Sequence, residues 1–444
     1  MLKTFPKGGV HPDDCKLTAK SPIFVATLPD KVYIMLNQSA GAPAVPIVKK
    51  GDKVKTGQLI AKGEAFISSN VHSPVTGTID KIDPILDATG YKHQAIIINV
   101  EGEDTWEEGI DITNNLIKEI KATPQEIIEK IKNAGIVGLG GAAFPTHVKL
   151  TIPQGKVAEY LLINGAECEP YLTCDHRLML EKPEEILVGT SIIMKALGVH
   201  RAFIGIENNK LDAIELLTKL AKDYNGIEVV TLKKKYPQGA EKQLIKAITG
   251  REVPSGKLPI EVGCVVQNVG TAKAIYDAVQ KNMPLIERVV TVTGPNVSKP
   301  SNFLSRIGIP LKHLIELAGG LPEDTAKLIS GGPMMGKTLS NTDIPLTKAM
   351  GGILLFPYNF SKRLDPYPCI RCGRCVHACP MGLEPFYLEK LVIKERWEDA
   401  EKHWIIDCME CGSCQYICPA KRPLLDYIRL GKNKVSAIIR SRKN

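Results

Sequence analysis

Long apolar runs, aromatic side chains and an excess of one charge are all scarce in this chain. No run approaches the ~18 apolar residues that a membrane-spanning helix needs. The opening stretch MLKTFPKGGVHPDDC lacks the apolar segment and cleavage site of a secretory signal, which predicts a cytosolic protein. Aromatics are 5% of the composition, against 44% hydrophobic and 24% charged residues, the profile of a folded soluble protein. Lysine plus arginine outnumber aspartate plus glutamate 57 to 48, a formal charge of +9. That excess is modest for 444 residues. It suits an acidic partner or a membrane surface, and with no nucleic-acid-binding motif beside it no nucleic-acid partner is expected. A single core cannot hold so long a chain, so roughly two to four domains are expected.

Cysteine is used sparingly too, with 12 in all, and eight of them fall in two runs with one spacing. Cys369, Cys372, Cys375 and Cys379 follow C-x2-C-x2-C-x3-C and are followed by Pro380; Cys408, Cys411, Cys414 and Cys418 repeat it before Pro419. Three thiolates this close wrap one corner of an iron–sulfur cubane, and the fourth is commonly carried across to a second cluster. The expected ligand sets are therefore Cys369, Cys372 and Cys375 with Cys418, and Cys408, Cys411 and Cys414 with Cys379, each holding one [4Fe–4S] cluster. Zinc, the competing reading, takes separated Cys-x2-4-Cys knuckles rather than three cysteines in a run ending in Cys-Pro. His377 and His403 are bystanders on this reading, because both ligand sets are complete. Cys15, Cys168, Cys174 and Cys264 lack companions and read as buried or incidental thiols.

Pattern divides the chain into four regions. Residues 1–110 carry short alternating apolar runs with turns at Gly51-Asp52, Gly57, Gly63 and Gly77. They resemble the lipoyl/biotinyl barrel-sandwich fold, with Phe66 at the hairpin tip where that family carries its modified lysine, so the module reads as unmodified and structural. Residues 111–285 alternate strands and helices, which predicts a Rossmann-like parallel sheet covered on both faces. Thr123-Pro124-Gln125-Glu126 is a helix start, with a capping box and Pro at the first position. Residues 286–345 fit a small β-grasp module. Residues 346–444 read as a helical, ferredoxin-like domain around the two cysteine runs, ending in a basic and mobile tail. The fold class is multidomain α+β.

Two loops at the carboxyl edge of the predicted sheet carry candidate chemistry. GIVGLGGAAFPTHVK, residues 135–149, brings Gly138, Gly140 and Gly141 together; it reads either as a phosphate cradle or as a tight turn. Lys149 reads either as a phosphate counter-charge or as a solvated lysine. NGAECEPYLTCDHR, residues 164–177, follows a strand and presents Glu167 and Glu169. These read either as a solvated acidic turn or as acceptors for ribose hydroxyls or a carboxamide. A hydride donor and one-electron clusters need a carrier that does both, so a dinucleotide site joined to clusters implies a flavin between them.

The runs GLGGAAFPTHVK, NGAECEP, YPQGAEKQ and VVQNVGTA occur in the order seen in the flavin-bearing, NADH-oxidising subunit of respiratory complex I, which this region resembles. The barrel-sandwich, the opening FPKGGVHP and the two ferredoxin-like runs are similar instead to the C subunit of the Rnf electron-transport complex, a resemblance covering nearly the whole chain. It implies FMN, two [4Fe–4S] clusters and NAD(H) as substrate. It also implies a peripheral subunit on the cytoplasmic side of the inner membrane, working with the other Rnf subunits, and indirectly with ferredoxin, in a complex that moves Na+ or H+. By the same resemblance, FMN meets Gly138, Gly140, Gly141 and Lys149 at its phosphate and ribityl chain, and Asn164, Gly239 and Asn268 bind the flavin. Phe144 stacks on NADH, Glu169 and Glu241 hold its ribose or carboxamide, and Glu167 joins the cofactor-binding set. Leu139, Ala166 and Ala240 depart from the complex I pattern, which has arginine, an acid and glutamate there. The tail's Lys432, Lys434, Arg440, Arg442 and Lys443 contact anionic lipid or a partner, or are simply solvated. The rival readings are a soluble NADH-dependent cobalamin reductase, which shares all but the barrel-sandwich, and an electron-carrying scaffold without flavin.

Overall fold

The computed structural model describes residues 2–442. After strand β1 (Ile23–Val25), seven strands form the N-terminal unit: β2 (Lys31–Met35), β3 (Val45–Pro46), β4 (Lys53–Val54), β5 (Leu59–Lys62), β6 (Val71–His72), β7 (Gly77–Leu86) and β8 (Lys92–Val100). They make two sheets, ordered β2-β8-β7-β4 and β3-β5-β6. Alternation along the strands sends Val32, Ile34, Ile79, Ile96 and Ile98 inward against Ile60, Ala61 and Val71.

The second unit begins with α1 (Pro124–Asn133), whose Thr123 and Glu126 form the expected capping box. It continues with α2 (Thr146–Leu150), β9 (Tyr160–Asn164), α3 (Cys174–Glu181), α4 (Pro183–Leu197), β10 (Ala202–Glu207), α5 (Leu211–Leu220), β11 (Ile227–Leu232), α6 (Glu241–Thr249), β12 (Cys264–Asn268) and α7 (Val269–Gln280). The four strands are parallel, in the order β11-β10-β9-β12. Helices α4 and α7 pack on one face and α6 on the other, giving two cores separated by the sheet. At Gly189 the α4 backbone meets α7 so closely that a Cβ would stand 1.9 Å from Ala272 O.

The third unit comprises β13 (Glu287–Thr293), β14 (Ser301–Arg306), α8 (Leu311–Leu317), β15 (Thr325–Ser330), β16 (Lys337–Leu339) and β17 (Gly352–Pro357), in the sheet order β1-β14-β13-β17-β15-β16. Two expectations are corrected here. The wholly buried run β17 lies between β13 and β15, so the sheet extends past residue 345 into the stretch expected to open the cluster domain. β1, expected in the barrel-sandwich, is the far edge of this same sheet. The barrel-sandwich and β-grasp units also share one apolar core, in which Val290, Val292, Leu311 and Leu355 join the barrel's isoleucines.

The last unit is helical: α9 (Tyr358–Ser361), α10 (Arg374–Ala378), α11 (Pro385–Ile393), α12 (Trp397–Lys402), α13 (Ser413–Tyr416) and α14 (Leu424–Ser441). The two cysteine runs adopt one backbone shape twice. Arg371 and Gly373 in the first, and Glu410 and Gly412 in the second, all have φ between 56° and 76°, so each loop turns left-handed twice before its short helix. The tail is corrected from mobile to helical. Lys432 Nζ donates to Cys408 O at 2.7 Å and Glu410 Oε1 at 3.0 Å, and Arg442 pairs with Glu401 at 2.8 Å. Lys443 lies outside the described residues.

One side chain ties three units together. Lys348, 1% exposed, donates from Nζ to Gly135 O at 2.7 Å, Asn70 O at 2.9 Å and, more weakly, Ser69 Oγ at 3.4 Å. Burial pulls its pKa down to about 7. An unfolded lysine holds its proton to about pH 10.4, so between those values the unfolded chain binds the extra proton. Stability from this group is then fully present above about pH 10.4 and is lost as pH falls toward 7. In Lys348→Met the stability difference from wild type should change across that window by up to about 1.4 kcal/mol per pH unit, wild type gaining as pH rises. Denaturant midpoints of both proteins at pH 7, 8, 9 and 10 check this; parallel curves would refute it.

Candidate functional site: a glycine-lined sheet edge joined to two cysteine sets

The site is built on the carboxyl ends of β9 and β12, where Asn164 and Asn268 stand opposite each other in register. Asn164 Nδ2 donates to Gly239 O at 2.7 Å, and its Oδ1 accepts from Ala166 N at 3.2 Å. Asn268 Oδ1 caps α7 by accepting from Gly270 N at 2.8 Å, while its Nδ2 donates to Asp175 Oδ2 at 2.6 Å. The glycine loop closes above them: Gly138 N donates to Phe144 O at 2.9 Å and Val137 bridges to Pro145. Leu139 is buried at the loop's root, its N–H held by Thr271 Oγ1 at 2.9 Å. An apolar residue suits that pocket, which accounts for the departure from arginine.

Beyond Leu139 the loop opens. Gly140 and Gly141 are exposed. Gly141 has φ +109° and no neighbour for an added Cβ within 4 Å, a conformation that favours glycine. A Cβ on Gly140 would stand 3.6 Å from the Asn268 side chain, and one on Gly239 would meet Cys168 Sγ at 3.3 Å and Asn164 Oδ1 at 3.5 Å. Bare backbone thus faces two amide side chains over a floor where side chains would intrude. This cradle fits a phosphate-bearing, planar, hydrogen-bonding group such as FMN.

The charged candidates are arranged differently from expectation. Lys149 Nζ pairs with Glu241 Oε1 at 2.7 Å and also donates to Val266 O at 3.2 Å. The two pair with each other at a partly exposed position beside the sheet edge. Glu167, in a left-handed backbone conformation, caps the start of α3, accepting from Asp175 N at 2.7 Å and His176 N at 3.2 Å. Glu169 is half-buried: its oxygens accept from Met335 N at 2.8 Å and Met334 N at 3.0 Å in the β-grasp loop. Burial pushes its pKa up to about 7. Glu169 therefore bridges the FMN-binding unit and the β-grasp loop. Phe144 takes part through its carbonyl and is half-buried.

Several residues that matter here carried no sequence signal. Lys16, from the N-terminal segment, donates to Glu167 O and Glu169 O, both at 2.9 Å. Lys210 Nζ donates to Ala166 O at 2.7 Å. Asp175 forms a compact trio with Glu167 and Cys174; burial first, then the Glu167 charge, push its pKa up to about 7. Asp175 was findable, as the first acid of the helix that follows the acidic loop; the two lysines were not.

The same loop leads to the cysteines. Cys168 Sγ accepts from Gly239 N at 3.3 Å. Around it Val10, Tyr236, Ala378 and Cys411 form one buried apolar cluster, joined by Met334 and Met409. Tyr236 OH donates to Cys411 O at 2.8 Å, and Gln243 Nε2 to Pro380 O at 3.2 Å. Beyond this wall, one cavity is lined by Cys408, Cys411 and Cys414 of the second run and Cys379 of the first, with Met381, Leu383 and Ile428. Burial first, with Cys411 and Cys379 among the neighbouring charges, pushes the Cys408 thiol up to about 11 and Cys414 higher. Burial raises the Cys375 thiol first, with Cys418 among the neighbouring charges. The donor set fits cubanes, whose ligands bind different irons and stand wider apart than those of a single ion.

Family models match every unit: the RnfC barrel sandwich hybrid domain over residues 3–103, the Nuo51 FMN-binding domain over 131–277, the SLBB domain over 289–338 and the 4Fe-4S dicluster domain over 361–419. The chain is 50% identical over 435 residues to the C subunit of the proton-translocating ferredoxin:NAD(+) oxidoreductase complex of Clostridium ljungdahlii, covering 98% of this chain and 94% of that one. It is 45% identical over 432 residues to the Na(+)-translocating counterpart of Acetobacterium woodii, covering 97% of each. It is 41% identical over 434 residues to the C subunit of the ion-translocating oxidoreductase complex of Rhodobacter capsulatus, covering 97% and 83%. Among solved structures, an NAD+-reducing [NiFe]-hydrogenase shares the fold at TM-score 0.50 and 19% identity, over 70% of this chain and 62% of that one. Similarity that includes the barrel-sandwich leaves the cobalamin-reductase reading without support. The chain belongs to the RnfC family, the C subunits of ion-translocating ferredoxin:NAD+ oxidoreductase (Rnf) complexes.

Proposed function

We propose that this chain, attached peripherally on the cytoplasmic side of the membrane complex, exchanges electrons between NAD(H) and one-electron carriers. Bound FMN supplies the exchange between a hydride and single electrons, and two [4Fe–4S] clusters supply one-electron storage. The observation that carries the reading is the mixed cavity, in which Cys379 joins Cys408, Cys411 and Cys414 directly behind Tyr236 and Cys168.

The residues divide the labour. Gly140, Gly141 and Gly239 give room for close backbone approach, and Asn164 and Asn268 hold the flavin by their amides. Gly138 closes the loop by its N–H to Phe144 O. Val10, Tyr236, Cys168 and Met334 keep water from the space between the sheet edge and Cys411. Glu169 sets that spacing, because the loop it clamps also touches the cluster domain: a Cβ on Gly412 would lie 3.1 Å from Met334 O. The set Cys379, Cys408, Cys411 and Cys414 is the flavin-side site. Cys369, Cys372, Cys375 and Cys418 form the outer one. Among the described residues no helix is long and apolar enough to cross a membrane, in keeping with a peripheral place.

Anaerobically reconstituted protein should hold about eight irons per chain and one FMN, and NADH should bleach both chromophores; zinc in place of iron would refute the reading. Cys379→Ser should cost about four irons and remove the signal of the flavin-side cluster, although Cys379 belongs to the first run. Cys418→Ser should remove the outer one. If each substitution instead affects the cluster of its own run, the exchanged ligand sets are wrong. Glu169→Ala takes the acceptor from the half-buried Met334 N–H and the exposed Met335 N–H and should cost about 1–2 kcal/mol. FMN should still bind while reduction of the clusters by NADH slows, read by thermal unfolding and stopped-flow absorbance; an unchanged rate would remove Glu169 from the positioning role.

A further inference from the structure

The two cysteine sets differ sharply in cover. Cys379, Cys411 and Cys414 are each 8% exposed or less, under the chain's own FMN-binding unit. In the other set, Cys372 is the one exposed cysteine among the described residues. The segment leading to it, α9 and residues 362–372, is exposed almost throughout, and Tyr358, Phe360, Leu364, Tyr367 and Ile370 are each at least 58% exposed. Five large apolar side chains in thirteen consecutive residues form an unusual patch for a solvated loop. Its rim is basic: Lys362, Arg363, Arg371 and Arg374 are exposed, against Asp365 and the Asp426 carboxylate that pairs with Arg363 at 2.6 Å. Tyr367 N donates to Ala420 O at 3.0 Å, which brings exposed Lys421 and the Cys418 region to the same face.

We propose that this face, Tyr358–Arg374 with Lys421, is the docking surface through which single electrons enter or leave the chain, and that its occupant is an acidic iron–sulfur protein. The proposal rests on the cluster reading above. Charge complementarity selects the partner: an apolar centre ringed by cations matches the small, steered interfaces of redox proteins, typically under about 1,200 Å². One electron crosses at a time from the outer cluster to the partner's one-electron centre, or back. The donor is oxidised and the acceptor reduced by one unit, with no proton or atom transferred.

The test uses the full-length, iron-loaded chain and a purified acidic two-cluster ferredoxin as probe. Wild type should bind it with a Kd that rises steeply with salt. Lys362→Glu combined with Leu364→Ser should raise that Kd at least about tenfold and flatten the salt dependence, while iron content and the rate from NADH to ferricyanide stay at wild-type values. Lys421→Glu, across the face, should do the same and carries the test if the double variant does not load iron. An unchanged Kd in iron-replete variants overturns the proposal. So does wild-type protein that prefers phosphatidylglycerol vesicles to ferredoxin and loses that preference in the variants, since the face would then meet lipid. A wild-type chain that takes up no iron overturns the cluster reading, and the proposal with it.

Discussion

The spacing of the site depends on one half-buried carboxylate. Glu169 stands at the end of the acidic loop after β9, yet its oxygens are spent on Met334 and Met335 in another unit. A desolvated carboxylate is costly unless its lone pairs are filled, and here two N–H groups and, at 3.5 Å, the Tyr236 hydroxyl surround it. That geometry fixes the β-grasp loop on the FMN-binding unit. The loop in turn lies against Gly412, and Tyr236 reaches Cys411. A single cluster of contacts therefore sets the separation between the sheet edge and the nearer cysteine set, the quantity that single-electron exchange depends on most.

The exchange of fourth cysteines works by similar logic. Each run folds into a loop with two left-handed residues ahead of its short helix. The last sulfur of the first run, Cys379, lines the cavity of the second run's Cys408, Cys411 and Cys414, which is the half of the proposed exchange that the fold displays. Helices α11 and α14 fill the space between, with Leu388, Leu391, Ile428 and Val435 buried among the cysteines. The cysteines share one apolar core with these side chains, so the domain's packing and its metal content are coupled.

Local signals were legible in the sequence and long-range ones were not. The capping box at Thr123, the β/α alternation, the cysteine spacing and the glycines at 138–141 each declare themselves within a few residues, and each stands where expected. The strand Gly352–Pro357 was missed because its partners, Glu287–Thr293 and Thr325–Ser330, come from before the expected boundary, and nothing local says that a buried run belongs to the preceding sheet. The basic tail read as mobile because charge is visible in sequence, while its carbonyl and carboxylate partners at Cys408 and Glu410 are not. Lys149, Glu241, Glu167 and Glu169 were expected to face a ligand. A carboxylate offers the same lone pairs to a ribose as to a backbone N–H, and only the fold decides which is nearer.

The N-terminal module shows how an inherited scaffold is reused. Phe66 occupies the hairpin tip where a carrier lysine would stand, and it is 68% exposed, so no swinging arm is possible. The module is docked instead: Ser69 Oγ donates to Gly135 O at 3.0 Å, and Ala40 N donates to Ala143 O at 3.0 Å. Both contacts fall on the segment that closes the glycine loop, and Lys348 binds the same hairpin to Gly135 at that segment's start. A loop of three glycines has high conformational entropy when free, and an open cradle would lose affinity if the ligand had to order it. Bracing the loop from behind with a rigid barrel places that ordering cost on folding, where the shared barrel and β-grasp core offsets it. The barrel's contribution to the site is therefore stiffness.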